Sequence, residues 1–451
     1  MATTYLTNTF SSPTNNYKWT LSVWVKRSGL GANQYIFQTY PSGQGYSRLY
    51  FDNTDKIQFD GEDTSAGNAF NLKTTRRFRD TNAWYHIVLK WDVTQGTASN
   101  RVKIYVNGVE EGNYGTETYP AQNTVYPINR DKLHNIGRHS SDTNTYFDGV
   151  MSHFHFTDGY SYDASTFGST DSTTGEWKIN TSPSITMGTN GFTILKDGMT
   201  ITDQSSNSNN WALANGTLTK TEDNPSNVFA TLNPLYVFAG NSNPVIERGN
   251  TVFNTSGNNA NKGFFVSSLG MTQGSGKFYC EVKANDATRL AVGVCNKNVF
   301  LSSTSPDSLT NQAAISYYYS GNVYYDSNGD VTGGASYTDG DILGIALDME
   351  NYRLFFHKNG TYMNSGDPTT STGNVLTFTN AAQYVQNHGE MFFFVSDTST
   401  TGQAIASVNF GNGYFDTTAV ASAGTNASNN GIFEYDVPAG YTALSTKGLN
   451  L

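Results

Sequence analysis

Apolar and polar side chains alternate along much of the chain. In Trp19-Thr-Leu-Ser-Val-Trp-Val25 the odd positions are apolar, and Thr20 and Ser22 stand between them. Tyr85-His-Ile-Val-Leu-Lys-Trp91 and Val102-Lys-Ile-Tyr-Val106 repeat the pattern. A period of two sends successive side chains to opposite faces of a strand, so one face packs inward and the other meets water. Val106 runs into Asn107-Gly108, a dipeptide that accepts positive φ and closes a tight hairpin; Asn328-Gly329 and Asn359-Gly360 repeat the device. Helical periodicity is almost absent, and no heptad or short solenoid repeat is visible. The pattern predicts an all-β protein of two antiparallel β-sandwich (jelly-roll) domains joined by a Ser/Thr/Asn-rich connector.

The two strand-rich blocks differ. All six tryptophans lie in the first half and both cysteines in the second, which suggests two distinct cores. We expect a first sandwich over 1–160, a connector with short strands over 161–245, a second sandwich over 246–415 and a C-terminal tail over 416–451. Within the connector, Gly191-Phe-Thr-Ile-Leu195 reads as one apolar strand and Ser205-Ser-Asn-Ser-Asn-Asn210 as a turn-rich polar run.

Composition narrows the function classes. Charged residues are 14% of the 451, against roughly 25% in an average soluble protein, while Tyr (28) and Phe (27) are abundant. The net charge of −10 argues against sequence-independent nucleic-acid binding, which runs on clustered Lys and Arg. Arg76-Arg77-Phe78-Arg79 is too short to change that. No stretch approaches the roughly 18 apolar residues of a membrane span. Met1 to Asn8 carry neither the basic nor the apolar part of a secretory signal, so we expect a soluble chain made in a cytoplasm. Two cysteines form no disulfide framework. Cys280 and Cys295 flank a predicted hairpin and are read either as neighbours or as two buried free thiols.

The succession Trp19–Val25, Trp84-Tyr-His-Ile-Val-Leu89, Arg101-Val-Lys-Ile-Tyr-Val-Asn-Gly108 and Phe147–Phe156 resembles the laminin-G-like branch of the concanavalin A-like lectin/glucanase sandwiches. Gly276-Lys-Phe-Tyr-Cys-Glu-Val282, Leu290–Val294, Tyr337-Thr-Asp-Gly-Asp-Ile-Leu-Gly-Ile-Ala-Leu-Asp348, Leu354–Gly360 and Val408-Asn-Phe-Gly411 resemble, in order, a SPRY (B30.2-like) domain. The pairing, with its Ser/Asn-rich bridge and the Phe433–Gly440 tail, resembles structural proteins of tailed bacteriophages. That resemblance implies a virion surface appendage, on head or tail and assembled in the host cytoplasm. Its expected partners are host surface polysaccharide or other virion proteins, with no nucleic acid and no membrane insertion. Virion symmetry implies a homo-oligomer.

Candidate chemistry is sparse. A retaining glycosidase needs two carboxyl groups roughly 5 Å apart, and glucanases of the resembled fold carry them as Glu-x-Asp-x-Glu on one strand. The chain has no such run; Asp348 and Glu350 match in spacing but sit at a predicted turn, in the other domain. We therefore expect no enzyme, with a polysaccharide-degrading glycoside hydrolase as the competing reading. Calcium is a candidate cofactor, held by loop carboxylates. Asp60, Glu62, Asp63 and Asp148 are the candidates in the first domain, with Asp60–Asp63 read as a loop, and Asp326-Ser-Asn-Gly-Asp330 begins like an EF-hand loop. His153 and His155, two apart on a strand, share a face and could hold a metal with His134 or His139, or are simply strand histidines. Nucleophile-elbow, Walker, C-x-x-C and H-E-x-x-H motifs are missing. Tyr317-Tyr-Tyr319 and Tyr324-Tyr325 put aromatics on both faces of a hairpin, for a core, a subunit interface or sugar stacking. By the SPRY resemblance, Tyr318, Tyr324 and Asp326 are the ligand-binding candidates.

Overall fold

The structure is a computed structural model that describes residues 3–63, 68–140, 145–236, 245–255, 263–296, 314–325, 329–331, 334–377, 390–398 and 402–450. It is all-β; the helical segments among the described residues are short 3₁₀ turns such as Ala98–Asn100 and Ala164–Thr166. None is long and apolar enough to cross a membrane. The chain divides into two compact units, Met1–Lys220 and Thr221–Leu451.

The first unit packs an eight-stranded sheet on a six-stranded one. The larger runs, in spatial order, Tyr114–Thr118, Ala69–Thr74, Ile57–Glu62, Tyr46–Phe51, Gln34–Thr39, Leu133–Ile136, Tyr5–Thr9 and Ala212–Asn215. The smaller runs Phe192–Ile194, Gly149–Asp158, Lys18–Arg27, Trp84–Asp92, Val102–Val106 and Val109–Glu110. The alternation read from the sequence sets the inner face: Trp19, Leu21, Val23 and Val25 pack with Ile87, Leu89 and Trp91 against Phe37, Phe51 and Phe59. Trp19 and Trp91 are register partners, stack at 5.2 Å, and receive the edge of Phe59.

Residues of the expected connector complete this unit. Phe192–Ile194 pairs with Gly149–Asp158, and Ala212–Asn215 pairs with Tyr5–Thr9. The polar run is not free turn. Asp203 accepts hydrogen bonds from the backbone N–H groups of Thr193, Ser205 and Asn209, and the Asn209 amide donates to the carbonyls of Thr189 and Gly191. The hairpin Gly168–Thr170/Trp177–Ile179 lies over the outer face of the six-stranded sheet, where Ala164, Phe167 and Trp177 pack on Val88 and Tyr105. This cover explains why Trp24 and Val88 are apolar at positions where alternation calls for polar residues. Asn107 (φ 49°) and Gly108 (φ 78°) form the anticipated turn, and a Cβ on Gly108 would meet the Trp177 ring at 2.3 Å.

The second unit is also a sandwich. One sheet centres on Ile405–Asn409, Lys277–Asp286, Ile342–Asp348 and Arg353–Lys358; the other runs Phe264–Val266, Met391–Asp397, Leu290–Asn296, Ala314–Tyr318, Val323–Tyr325 and Gly329–Val331. Between them lie Phe278, Cys280, Val282, Val292, Ile345, Leu347 and Phe356. The residues expected as a tail fold onto this unit. Thr442–Ala443 pairs in parallel with Lys277–Asp286, and Phe433, Val437 and Tyr441 bury Tyr279, Ala346 and Phe355 on the sheet's outer face. That face is apolar, so it needs a cover. Cys280 and Cys295 are free and buried in different clusters, and burial pushes both thiols up. Asn359 (φ 49°) and Gly360 (φ 81°) form the second expected turn, while Asn328 lies outside the described residues.

Candidate functional site

The outer face of the six-stranded sheet in the first unit is only half covered. Beneath the cover His86 is fully buried, between the rings of Trp24 (4.7 Å) and Trp177 (6.0 Å). Trp177 Nε1–H donates to His86 Nδ1 at 2.9 Å, which leaves the ring proton on Nε2, 2.8 Å from Ser22 Oγ. Burial pushes His86 down to about 3, so it is neutral.

Beyond the cover the same face opens into a cleft of about 490 Å³. Its floor comes from three adjacent strands: Lys18, Lys90 with Asp92, and Lys103. Gln95 and Asn100 line it from the following loop, and Gly159, Tyr160 and Ser161 from the edge of the cover. The register puts Lys18 opposite Asp92 and Lys90 opposite Lys103. Lys18 Nζ lies 3.3 Å from Asp92, Lys90 Nζ 2.7 Å from Asp163 and Lys103 Nζ 2.9 Å from Glu110. Asp92 also accepts from Thr94 N–H and from the Gln95 amide. Burial alone would raise its pKa, but these hydrogen bonds and Lys18 outweigh it and hold Asp92 below the usual carboxylate range. Tyr160 is 39% exposed at the rim, and the buried Oγ of Ser161 has no hydrogen-bond partner.

The sequence did not point to this cleft. Each lysine is an ordinary polar position on an alternating strand, and only the register brings them together. The available signal was Lys90 and Lys103 on consecutive alternating strands, Trp84–Asp92 and Val102–Val106, joined by the short loop 93–101.

In the second unit the tyrosines alternate as expected. Tyr317 is buried, hydrogen-bonded to the Ala335 carbonyl and edge-on to Tyr337. Tyr318 and Tyr324 are half-buried and meet with ring centroids 4.5 Å apart, and Asn322 donates to the Tyr324 hydroxyl. Asp326 and most of the EF-hand-like stretch lie outside the described residues.

The other candidates are dispersed or already engaged. Asp60 is no loop residue: it sits on the strand Ile57–Glu62, where Arg48 binds it in two places (2.7 and 3.0 Å) with Tyr50 and Gln58 also donating. Asp63 accepts from Asn68, and among the described residues no three His, Cys, Asp or Glu side chains gather around a metal position. A β-bulge between Ser152 and His155, with His153 at φ 48°, breaks the even alternation that a shared face requires, although the two rings remain 6.3 Å apart. His134 is instead stacked on Phe10 in the core, and His139 lies tilted against Tyr35, on the other sheet. Asp348 ends its strand and accepts from the N–H groups of Glu350 and Asn351, so the Asp348/Glu350 pair is a turn.

Buried acids serve the fold. Asp158 accepts from Thr14 and Asn15 N–H, Asn129 and Asn190 N–H. Glu281 accepts from Tyr279 (3.0 Å), from the N–H groups of Glu434 and Tyr435 (both 2.8 Å) and from Asn409 (3.4 Å). Burial pushes Glu281 up to about 7 against these four donors. Gly360 N–H donates to His357 Nδ1, so Nε2–H faces the Tyr279 hydroxyl at 2.7 Å. A Cβ on Gly344 would lie 1.9 Å from that Nε2, so the ring takes the space the glycine leaves.

Comparison with known proteins places two families on this frame. Residues 2–161 match the concanavalin A-like lectin/glucanases superfamily, and residues 277–412 match the SPRY domain. Among solved structures the chain is similar to the SPRY domain of human HERC1, at 20% identity over 39% of this chain and 96% of that one (TM-score 0.30). It is similar to a heptameric SAP-like pentraxin from Limulus polyphemus, at 16% identity over 34% and 69% (TM-score 0.24). It is also similar to domains LG4-5 of the mouse laminin alpha1 chain, at 8% identity over 86% and 78% (TM-score 0.27). No curated protein matches the chain. The chain therefore carries an N-terminal concanavalin A-like domain of the laminin G type and a C-terminal SPRY domain.

Proposed function

We propose that this chain is a non-enzymatic binding protein of a tailed-phage particle. It is a head- or tail-associated appendage, present in several copies, that attaches to host surface polysaccharide or to other virion proteins. The observation that carries the binding reading is the division of labour among polar groups. Asp158, Asp203, Asp348 and Glu281 are spent on backbone N–H groups, while the open cleft is lined by ammonium and amide groups and the carboxylates beside it, Asp92, Asp163 and Glu110, are each engaged by a lysine. Retaining or inverting hydrolysis needs two acids facing one bond. The virion assignment is supported by the order of the two domains and the resemblance that order carries. Weak single contacts suit such a role, because copy number on a particle multiplies them.

Gold-labelled antibody against the chain, imaged on purified particles, tests the location: decoration of heads or tails is expected, and bare particles would refute it. Incubation with host envelope polysaccharide tests the chemistry: no reducing ends are expected, and their release, abolished by one carboxylate substitution, would establish the hydrolase instead. Light scattering of the purified chain is expected to report a multiple of the 49.2 kDa protomer.

A further inference from the structure

We propose that the half-covered face of the first unit is a binding site for an acidic saccharide, one bearing carboxylate or sulfate groups. The inference rests on the binding reading above and names its ligand class. Lys90 and Lys103 are direct cross-strand partners, and Lys18 lies two register pairs away on the same face. Like charges set opposite each other on adjacent strands are destabilising. The sheet offsets this arrangement with Asp163 and Glu110, whose side chains are 54% and 45% exposed. Such exposed ion pairs are worth at most about 1 kcal/mol, so an incoming anion exchanges for them at little cost. Asp92 differs. It is buried and pinned by Thr94, Gln95 and Lys18, so it belongs to the fixed frame of the cleft and is not displaced.

The neutral groups of the cleft suit a sugar. Gln95 and Asn100 line it with amides, and Tyr160, 39% exposed, stands at the rim. Aromatic faces with a polar tip favour half-wet contacts of this kind. The volume, about 490 Å³, falls in the roughly 300–1,000 Å³ range of small-ligand sites. A nucleic acid would also supply anions, but it needs an extended basic surface, and the chain carries −10 overall.

The test uses the full chain and four immobilised polymers: polygalacturonate for carboxylate, dextran sulfate for sulfate, plain dextran, and single-stranded DNA. Retention by one or both acidic polysaccharides is expected, the two arms separating carboxylate from sulfate recognition, with at least tenfold weaker retention by dextran and DNA. Raising salt from 50 to 500 mM should weaken binding at least fivefold. Lys90→Gln with Lys103→Gln should weaken it at least tenfold at an unchanged melting temperature. Should that pair unfold, Lys18→Gln at a half-buried position and Tyr160→Ala at an exposed one should each weaken it at least threefold. Tyr318→Ala should leave it unchanged. Equal retention by dextran, preference for DNA, or wild-type binding by the folded cleft variants would each overturn the proposal. Labelled particles with no acidic-polysaccharide binding would sink this inference alone. Binding without particle labelling would sink only the virion assignment.

Discussion

Both sandwiches cover the outer face of one sheet with a segment that reads as linker or tail, but they seal it with different chemistry. The concanavalin A-like unit closes over a neutral His86 held by Trp177 and Ser22, and its cover stops short, leaving a cleft. The SPRY unit closes over Glu281, whose carboxylate receives two backbone N–H groups of the covering segment itself. An imidazole between aromatic rings fixes a cover by ring packing and one side-chain hydrogen bond, from Trp177. A carboxylate that accepts from the cover's backbone fixes it by hydrogen bonds with a set direction. The first arrangement can end anywhere along the face, whereas the second requires the cover to run through one place.

The largest expected contrast is with pH. His86, His134 and His155 are pushed down to about 3 by burial, from an ordinary 6.5. Their contribution to stability is present above 6.5 and is lost as pH falls toward 3. Between pH 7 and 5 each costs about 2 kcal/mol, or about 6 kcal/mol for these three together. In the second unit His357 falls the same way, to about 3, but Glu281 is raised to about 7 from 4.5. A raised carboxyl contributes below 4.5 and loses that contribution as pH rises through 7, so the two groups offset each other between 6.5 and 4.5. Hydrogen exchange on the full chain at pH 7 and 5, corrected for intrinsic rate, should show the first unit losing protection and the second holding it. Equal loss in both would break the comparison.

Removing a cover's anchor is the next largest change. Phe433 is 1% exposed against Tyr279 and Phe355, so Phe433→Ala should cost the second unit about 3–5 kcal/mol in denaturant unfolding. Glu281→Ala strands the N–H groups of Glu434 and Tyr435, and should cost about 2–3 kcal/mol with faster proteolysis around residue 434. The smallest effect belongs to Tyr318→Ala. That ring is half-buried against Tyr324, and the expected loss is about 1 kcal/mol or less, with no change in the first unit.

Much of this fold was legible because period-two patterning is a local property. Trp19 to Val25 and Tyr85 to Trp91 announce an inner face without knowledge of their partners. The Asn-Gly pairs at 107 and 359 announce their turns because the backbone conformation is a property of those two residues. The covers were hidden because Phe167, Trp177 and Phe433 are isolated aromatics in polar stretches, with no period to betray them. Their trace lay on the other side of the contact, in Trp24 and Val88, apolar where water would want polar. The contact between Tyr318 and Tyr324 was legible because a hairpin brings near neighbours together. Lys18, Lys90 and Lys103 were not, because a site built across three strands exists only once the register is set.

One consequence concerns the order of synthesis. The first sheet is complete once Ala212–Asn215 has emerged to lie beside Tyr5–Thr9, so that half can finish while the ribosome is still translating the other. The second cannot: Lys277–Asp286 waits for Thr442–Ala443, and Glu281 for residues 434 and 435, made some 150 codons later. Until then its outer aromatic face is open to the cell's chaperones, and a premature stop before codon 433 would leave it so.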